Sequence, residues 1–119
     1  MNELIYLAGP YSIDPARMFK EHMRYAAEIF RKGHKVFSPI LHCHPLAEAH
    51  SLPGDANFWQ QYNERMLDCC TTVWIIDIPE WHQSTGVLHE LNRAVMLRKP
   101  VLAVKLTDEG LFTYPITAE

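Results

Sequence analysis

The chain has 119 residues, 48% hydrophobic and 21% charged, with a formal net charge of −3. That is the size and composition of one domain with a real core, so a single unit over residues 1–119 is expected. The negative balance excludes a grip on a nucleic-acid polymer by bulk electrostatics, which needs a basic face, but not a small phosphorylated ligand held by a helix N-terminus and a hydroxyl or two.

Leu4-Ile5-Tyr6-Leu7-Ala8 is a short apolar run stopped by Gly9-Pro10, the pattern of a buried strand. Tyr11-Ser12-Ile13 follows as a loop. Asp14 before Pro15 supplies an N-cap and a first-turn proline, and a helix is predicted to about Lys32. Phe19, Met23, Ala26, Ala27 and Phe30 have the spacing of one buried face, and Lys32-Gly33 closes the helix. Lys35-Val36-Phe37 reads as a second strand stopped by Ser38-Pro39. The segment Ile40–His50 holds His42, His44 and His50 without a period, and reads as a loop with a short helix over Leu46–His50. Ser51–Asp55 reads as a turn. A helix starting near Asp55 or Asn57 and running to about Cys69 is predicted to bury Trp59, Tyr62, Met66, Leu67 and Cys70. Asn63 lies inside that stripe and needs a partner there.

Thr72–Asp77 is a near-continuous apolar run, as in strands that parallel sheets bury on both faces. Ile78–Gln83 is a turn-rich spacer. Ser84-Thr85-Gly86 opens an amphipathic helix that runs to about Arg98 and stops at Lys99-Pro100. Val101–Lys105 is the last clear strand. In the turn-rich tail, Phe112-Thr113-Tyr114 reads as a short strand or a contact between subunits. No apolar run approaches the roughly 20 residues that span a bilayer, and Met1–Tyr6 lacks the regions of a signal peptide. Cys43 and the adjacent Cys69 and Cys70 make no disulfide framework. A cytoplasmic chain with reduced thiols, no membrane partner and no cofactor is expected.

The element order predicts an α/β fold: an open parallel sheet of four to five strands, with right-handed crossovers and helices on both faces. Ligands of such sheets sit outside the carboxyl ends of the strands. Those ends gather Gly9, Pro10, Tyr11, Ser12, Ser38, Pro39 and the stretch Asp77–Gly86 around one crevice, with Glu90 and Asn63 able to reach in.

Glu90 projects on the side of Val87, Ala94 and Leu97. A carboxylate in an apolar stripe needs a reason: an ion pair with Arg93 at the core edge, or work in a site. Near a helix N-terminus it is expected to stay ionised, and against an acetal-like carbon it can form a glycosyl ester as retaining glycosidases do. Tyr6 either orients it or fills the core. Asp77 ends a strand beside the crevice. Trp81, in the spacer, either covers a bound base or packs inside. Asp68, near a helix C-terminus, is expected in solvent. His42 and His44 would share one face of an extended segment. Neither Cys-x-x-Cys nor His-Glu-x-x-His spacing accompanies them, so no metal is expected and they are read as lining the crevice. Walker A, Gly-x-Gly-x-x-Gly and Gly-x-Ser-x-Gly patterns do not occur.

Two stretches resemble the nucleoside 2-deoxyribosyltransferase superfamily. Tyr6-Leu7-Ala8-Gly9-Pro10-Tyr11 is similar to its opening strand and loop. Ser84-Thr85-Gly86-Val87-Leu88-His89-Glu90-Leu91 is similar to its second signature, a glycine followed four residues later by the catalytic glutamate. The resemblance runs from about Leu4 to Val104. Ser38-Pro39-Ile40 with His42 and His44, and Pro79-Glu80-Trp81, resemble a small bacterial and phage branch. The resemblance implies a flavodoxin-like (Rossmann-like) sheet. It also implies cleavage of the N-glycosidic bond of a nucleoside or nucleotide, with Glu90 attacking the anomeric carbon and water or a second base resolving the intermediate. Transferases of the superfamily often carry aspartate where this chain has Ser84. Serine there is similar to the 2′-deoxynucleoside 5′-phosphate N-hydrolases, in which it contacts the phosphate; Ser12 would add a second contact. The superfamily's aspartate that protonates the leaving base or positions the nucleophile is replaced by Asn63, which transfers no proton. That implies another acid (Asp77, His42 or His44) or a module that only binds nucleotides. Sites of the superfamily form at subunit interfaces, which implies a homodimer or homotetramer with Tyr114 or its neighbours completing a partner's site.

Overall fold

The apolar runs pair in parallel, and the tail adds one strand more. In the computed structural model, which describes residues 3–53 and 56–116, β1 (Ile5–Ala8) lies between β2 (Val36–Phe37) and β3 (Thr72–Ile76). β4 (Val101–Thr107) flanks β3, and β5 (Gly110–Pro115) closes the edge antiparallel to β4. The strand order 2-1-3-4-5 is that of a flavodoxin-like α/β sheet. All residues of β1 and β3 are buried, as central strands covered on both faces must be. Phe112, Thr113 and Tyr114 belong to β5. Asp55, one predicted helix start, lies outside the described residues.

Alternation along the strands sorts the core into two layers. Ile5, Leu7, Trp74, Ile76 and Val104 pack beneath Tyr25, Ala26 and Ile29 of α1 (Pro15–Arg31). Tyr6, Ala8, Val73 and Ile75 face the other way. They meet Leu67 of α3 (Ala56–Cys69), Val87 and Ala94 of α4 (Thr85–Met96), and Trp81. Tyr6 therefore points towards the helix that carries Glu90.

α1 begins and ends as its sequence demands. Asp14 Oδ1 accepts the Arg17 N–H at 3.3 Å, and Pro15 takes the first turn. Gly33 adopts φ +92°. Its N–H bonds the Phe30 carbonyl at 2.9 Å and the His34 N–H reaches back to Ile29 at 3.3 Å, a Schellman ending. The phase of the helix differs from the prediction. Met18, His22, Tyr25, Ala26 and Ile29 are buried, while Met23 and Phe30 are 48% and 56% exposed. Two apolar stripes one residue apart compete on this helix, and counting hydrophobes misses the one that includes a histidine. His22 is admitted because Ser38 Oγ stands 3.4 Å from its Nδ1. Burial pushes its pKa down to about 4, so the ring is neutral.

The His22 ring also explains Gly9. A Cβ at Gly9 would stand 2.8 Å from His22 Nε2, 2.9 Å from its Cε1 and 3.2 Å from Ile76 Cδ1. None of these is a free side-chain end. Gly9→Ala is expected to cost about 1–3 kcal/mol by overpacking, read as a lower urea midpoint at unchanged slope.

The largest departure from prediction is α2 (Pro39–His50), a helix where a loop with a short C-terminal helix was expected. Ser38-Pro39 stops β2 as expected and also starts a helix. Ser38 Oγ accepts the Leu41 N–H at 3.3 Å, and proline in the first turn forfeits no hydrogen bond. The helix tolerates Pro45 in its interior and ends at Ser51, whose φ is +56°. It packs on α1 and turns another face to a cavity, so no single apolar stripe marks it. α3 keeps most of its expected face, with Met66 partly buried against the core. Leu67 and Cys70 are buried, Gln60 and Asn63 are partly buried, and Tyr62 is exposed. The spacer before α4 forms a 3₁₀ helix over Pro79–Gln83 that rolls Trp81 into the core at 6% exposure. No helix among the described residues is long and apolar enough to cross a membrane.

Candidate active site

The chain order reverses between β1 and β3, and a cavity of about 200 Å³ opens at their carboxyl ends. One wall is the loop after β1, with Gly9, Tyr11 and Ser12. α2 contributes Ile40, Cys43 and Ala47. The start of α4 brings Ser84, Thr85 and Gly86, and its next turns bring His89, Glu90 and Arg93. α3 closes the cavity with Trp59, Gln60, Asn63, Glu64 and Leu67, among others.

Glu90 is a partly buried carboxylate of this lining. Tyr6 Oη donates to its Oε2 at 2.5 Å. Burial pushes the Glu90 carboxyl up to about 7, against the opposing pull of the Tyr6 hydrogen bond. Tyr6 is itself held well above its ordinary range, by burial first and by Glu90 second, so it remains a phenol that donates. The Glu90–Arg93 ion pair does not form. Arg93 Nε and Nη2 instead clamp Asp68 Oδ1 and Oδ2 at 2.9 and 2.8 Å, joining α4 to α3. That fork holds the Asp68 carboxyl below its ordinary range. Among the described residues no cation pairs with Glu90, and desolvation outweighs the helix dipole, which fades beyond the first turn.

Ser84 caps α4 by accepting the Val87 N–H at 3.3 Å, which leaves its own hydroxyl proton to give. Asn63 Oδ1 lies 3.9 Å from Cys43 Sγ. The Cys43 thiol is pushed up to about 12 by burial and then by Glu90, so it is a weak donor and not a nucleophile.

Gly9, Tyr11, Ser12, Asn63, Ser84, Gly86 and Glu90 thus line one cavity. Tyr6 acts on it through Glu90. Pro10 is buried behind the loop. Asp77, at the end of β3, gives its N–H to the Val104 carbonyl and is not part of the lining. His44 stands behind Tyr11, its Nδ1 2.6 Å from Tyr11 Oη, and stacks on Phe19. His42 stacks on Tyr62. The shared face read for these two histidines assumed an extended segment; in a helix, residues two apart diverge by about 200°. Trp81, buried in the core, does not border the cavity either. Among the described residues no three His, Cys, Asp or Glu side chains converge on a metal-sized point.

Sequence reading missed the contribution of α3. The apolar stripe places Trp59 in the core and gives Gln60 and Glu64 no role, yet all three line the cavity. Gln60 and Glu64 face α4, where His89 Nε2 lies 2.6 Å from Glu64 Oε2 and Gln60 Nε2 lies 3.3 Å from both. The available signal was spacing: Gln60 and Glu64 share the i, i+4 row that runs beside Asn63 and Leu67.

Among curated proteins none matches the chain. A family model described as a domain of unknown function, DUF1937, matches residues 3–106. That span runs from β1 into β4 and takes in every residue that lines the cavity, so the chain belongs to the DUF1937 family.

Proposed function

We propose that the chain cleaves the N-glycosidic bond of a nucleoside or nucleoside 5′-monophosphate, of the deoxy series or its ribo counterpart. The observation that carries this reading is Glu90: a desolvated carboxylate, bonded by Tyr6 on one oxygen, at the wall of a cavity whose rim is the Ser84-capped start of α4. Tyr6 orients Oε2 and leaves Oε1 to attack the anomeric carbon, forming a glycosyl ester. Ser84 and the free N–H groups behind it receive the 5′-phosphate, with Ser12 on the facing wall. Gln60 and Asn63 offer amide donors and acceptors to the base, and Trp59 offers it a flat apolar surface. Water then hydrolyses the ester, or a second base exchanges for the first. The proposal includes a cytoplasmic chain with free thiols, assembled as a homodimer or homotetramer through the exposed Phe112 and Tyr114 of β5. Sedimentation that finds only monomer removes this last part.

The test is a panel of nucleosides and their 5′-monophosphates assayed for free base by chromatography, with and without a second base. No base from any of them removes the reading. Ser84→Ala is expected to raise KM for monophosphates about tenfold or more by loss of a charge-assisted hydrogen bond. It also costs about 1 kcal/mol of helix capping. A KM increase of the same size for free nucleosides would remove Ser84 from the phosphate.

Asn63, in place of an aspartate, supports a second reading: a nucleotide-binding module without turnover. Tight calorimetric binding of a monophosphate with no base released distinguishes it.

A further inference from the structure

Departure of a nucleobase needs a proton, and Asn63 has none to give. Asp77, His42 and His44 do not line the cavity. The geometry points to His89 as the proton donor to the leaving base, held in place by Glu64; this inference rests on the glycosidase reading above.

His89 and Glu64 line the same cavity as Glu90. His89 directly precedes Glu90 on α4, so one helix turn presents nucleophile and donor about 100° apart. Glu64 reaches from α3 and directly follows Asn63. Its Oε2 lies 2.6 Å from His89 Nε2 and takes a second bond from Gln60 Nε2 at 3.3 Å. The bond to His89, followed by that to Gln60, holds Glu64 below the usual carboxylate range, so it is an acceptor at neutral pH. An ionised Glu64 takes the Nε2–H and fixes the ring by that nitrogen. Nδ1 has no partner among the described residues and is the nitrogen left to serve a ligand. Arg93, whose charge also acts on Glu64, is already clamped to Asp68.

The steps balance. Glu90 Oε1 forms a bond to the anomeric carbon as the bond from that carbon to the base nitrogen breaks. The electron pair goes to the base, which takes the proton from Nδ1 of the imidazolium. The neutral imidazole then takes a proton from the attacking water, and Glu90 leaves as carboxylate. Base and sugar are released with His89 and Glu90 restored. Glu64 is a positioning residue in this scheme and His89 a catalytic one.

A pair that only tied α3 to α4 would show no dependence on the leaving group, and the test uses that difference. Wild type, His89→Gln and Glu64→Gln are assayed on a nucleoside 5′-monophosphate and on 4-nitrophenyl 2-deoxyribofuranoside 5-phosphate, whose nitrophenolate departs without a proton. His89→Gln is expected to slow base release about 100-fold or more, with a loss at least about tenfold smaller on the nitrophenyl substrate. Glu64→Gln is expected to show the same pattern at smaller size. The ratio of the two losses within one variant does not depend on the fraction folded. Equal losses on both substrates, or no loss on the nucleotide, overturn the role of His89 and leave the glycosidase reading standing. A wild-type protein that cleaves neither substrate overturns both.

Discussion

Glu90→Gln is expected to lower base release by at least about 10⁴-fold, the scale seen when a residue of a covalent mechanism is removed. Glutamine has nearly the shape of glutamate, and its carbonyl still accepts the Tyr6 hydroxyl, so the cavity and its ligand affinity are retained. What the proposed mechanism loses is its nucleophile. The expected split is therefore a collapse of kcat with Kd little changed, measured by base release and by calorimetry. The wild-type protein, quenched during turnover, is expected to carry a glycosyl adduct on the peptide that holds Glu90. Only the ionised carboxylate attacks, and burial pushes Glu90 up to about 7. On the nitrophenyl substrate, whose departure needs no proton from His89, the rate is therefore expected to rise with pH as that group loses its proton. Retention of more than about a tenth of the activity in Glu90→Gln would show that bond cleavage does not pass through a glycosyl ester on this residue.

The second large effect needs no substrate. The Glu90 carboxyl sits at about 7 in the fold against an ordinary 4.5. Between those values the unfolded chain has released a proton that the folded chain still holds. Stability from this group is thus fully present below 4.5 and is lost as pH rises towards 7, by up to about 3 kcal/mol. His22 works in the opposite sense. Its folded value of about 4 lies below the ordinary 6.5, so its contribution is present above 6.5 and is lost as pH falls towards 4. The two oppose each other in the wild-type curve, and the difference between wild type and Glu90→Gln isolates one of them. The variant is expected to match wild type near about pH 4 and to exceed its stability by up to about 3 kcal/mol near about pH 8, read from urea unfolding. A variant less stable than wild type at the higher pH would mean that the ionised Glu90 is supported in the fold, contrary to the cause assigned to its shift.

The two Glu90 effects share one cause, a carboxylate desolvated without a cation. A site that stores free energy in this way is less stable and better poised to react. The Tyr6 hydrogen bond limits the cost without removing the charge.

Much of the frame was legible in the residues. β1 and β3 are continuous apolar runs because a parallel sheet covers both their faces, and β4 opens on one, Val101–Val104. The limits of α1 are written in Asp14-Pro15 and Gly33, whose backbone chemistry acts within a few residues. The Ser84 cap and the Glu90 stripe are local in the same sense, and from them the crevice at the strand ends follows. Gly9, Tyr11, Ser12, Ser84, Gly86 and Glu90 line the cavity because they sit in the loop after β1 or at the cap and first two turns of α4.

Rotation of the helices was not legible. α1 offers two apolar stripes, and Ser38, sixteen residues along, decides which is buried by meeting His22. α2 carries no stripe because its neighbours are a helix and a cavity. Its helical pitch alone sends His42 to Tyr62 and His44 to Tyr11. The polar row Gln60–Glu64 resembles any solvated helix face until α4 lies against it and sets His89 beside Glu64, 25 residues away. Tyr6 and Glu90 are 84 residues apart. By itself the sequence determined the four parallel strands, α1, α3 and α4 and which strand ends meet, though not α2 or β5, because caps, turns and apolar periods act over a few residues. Tertiary structure decided which side chains face the cavity and which charges are desolvated, because both depend on what distant parts of the chain place opposite each group.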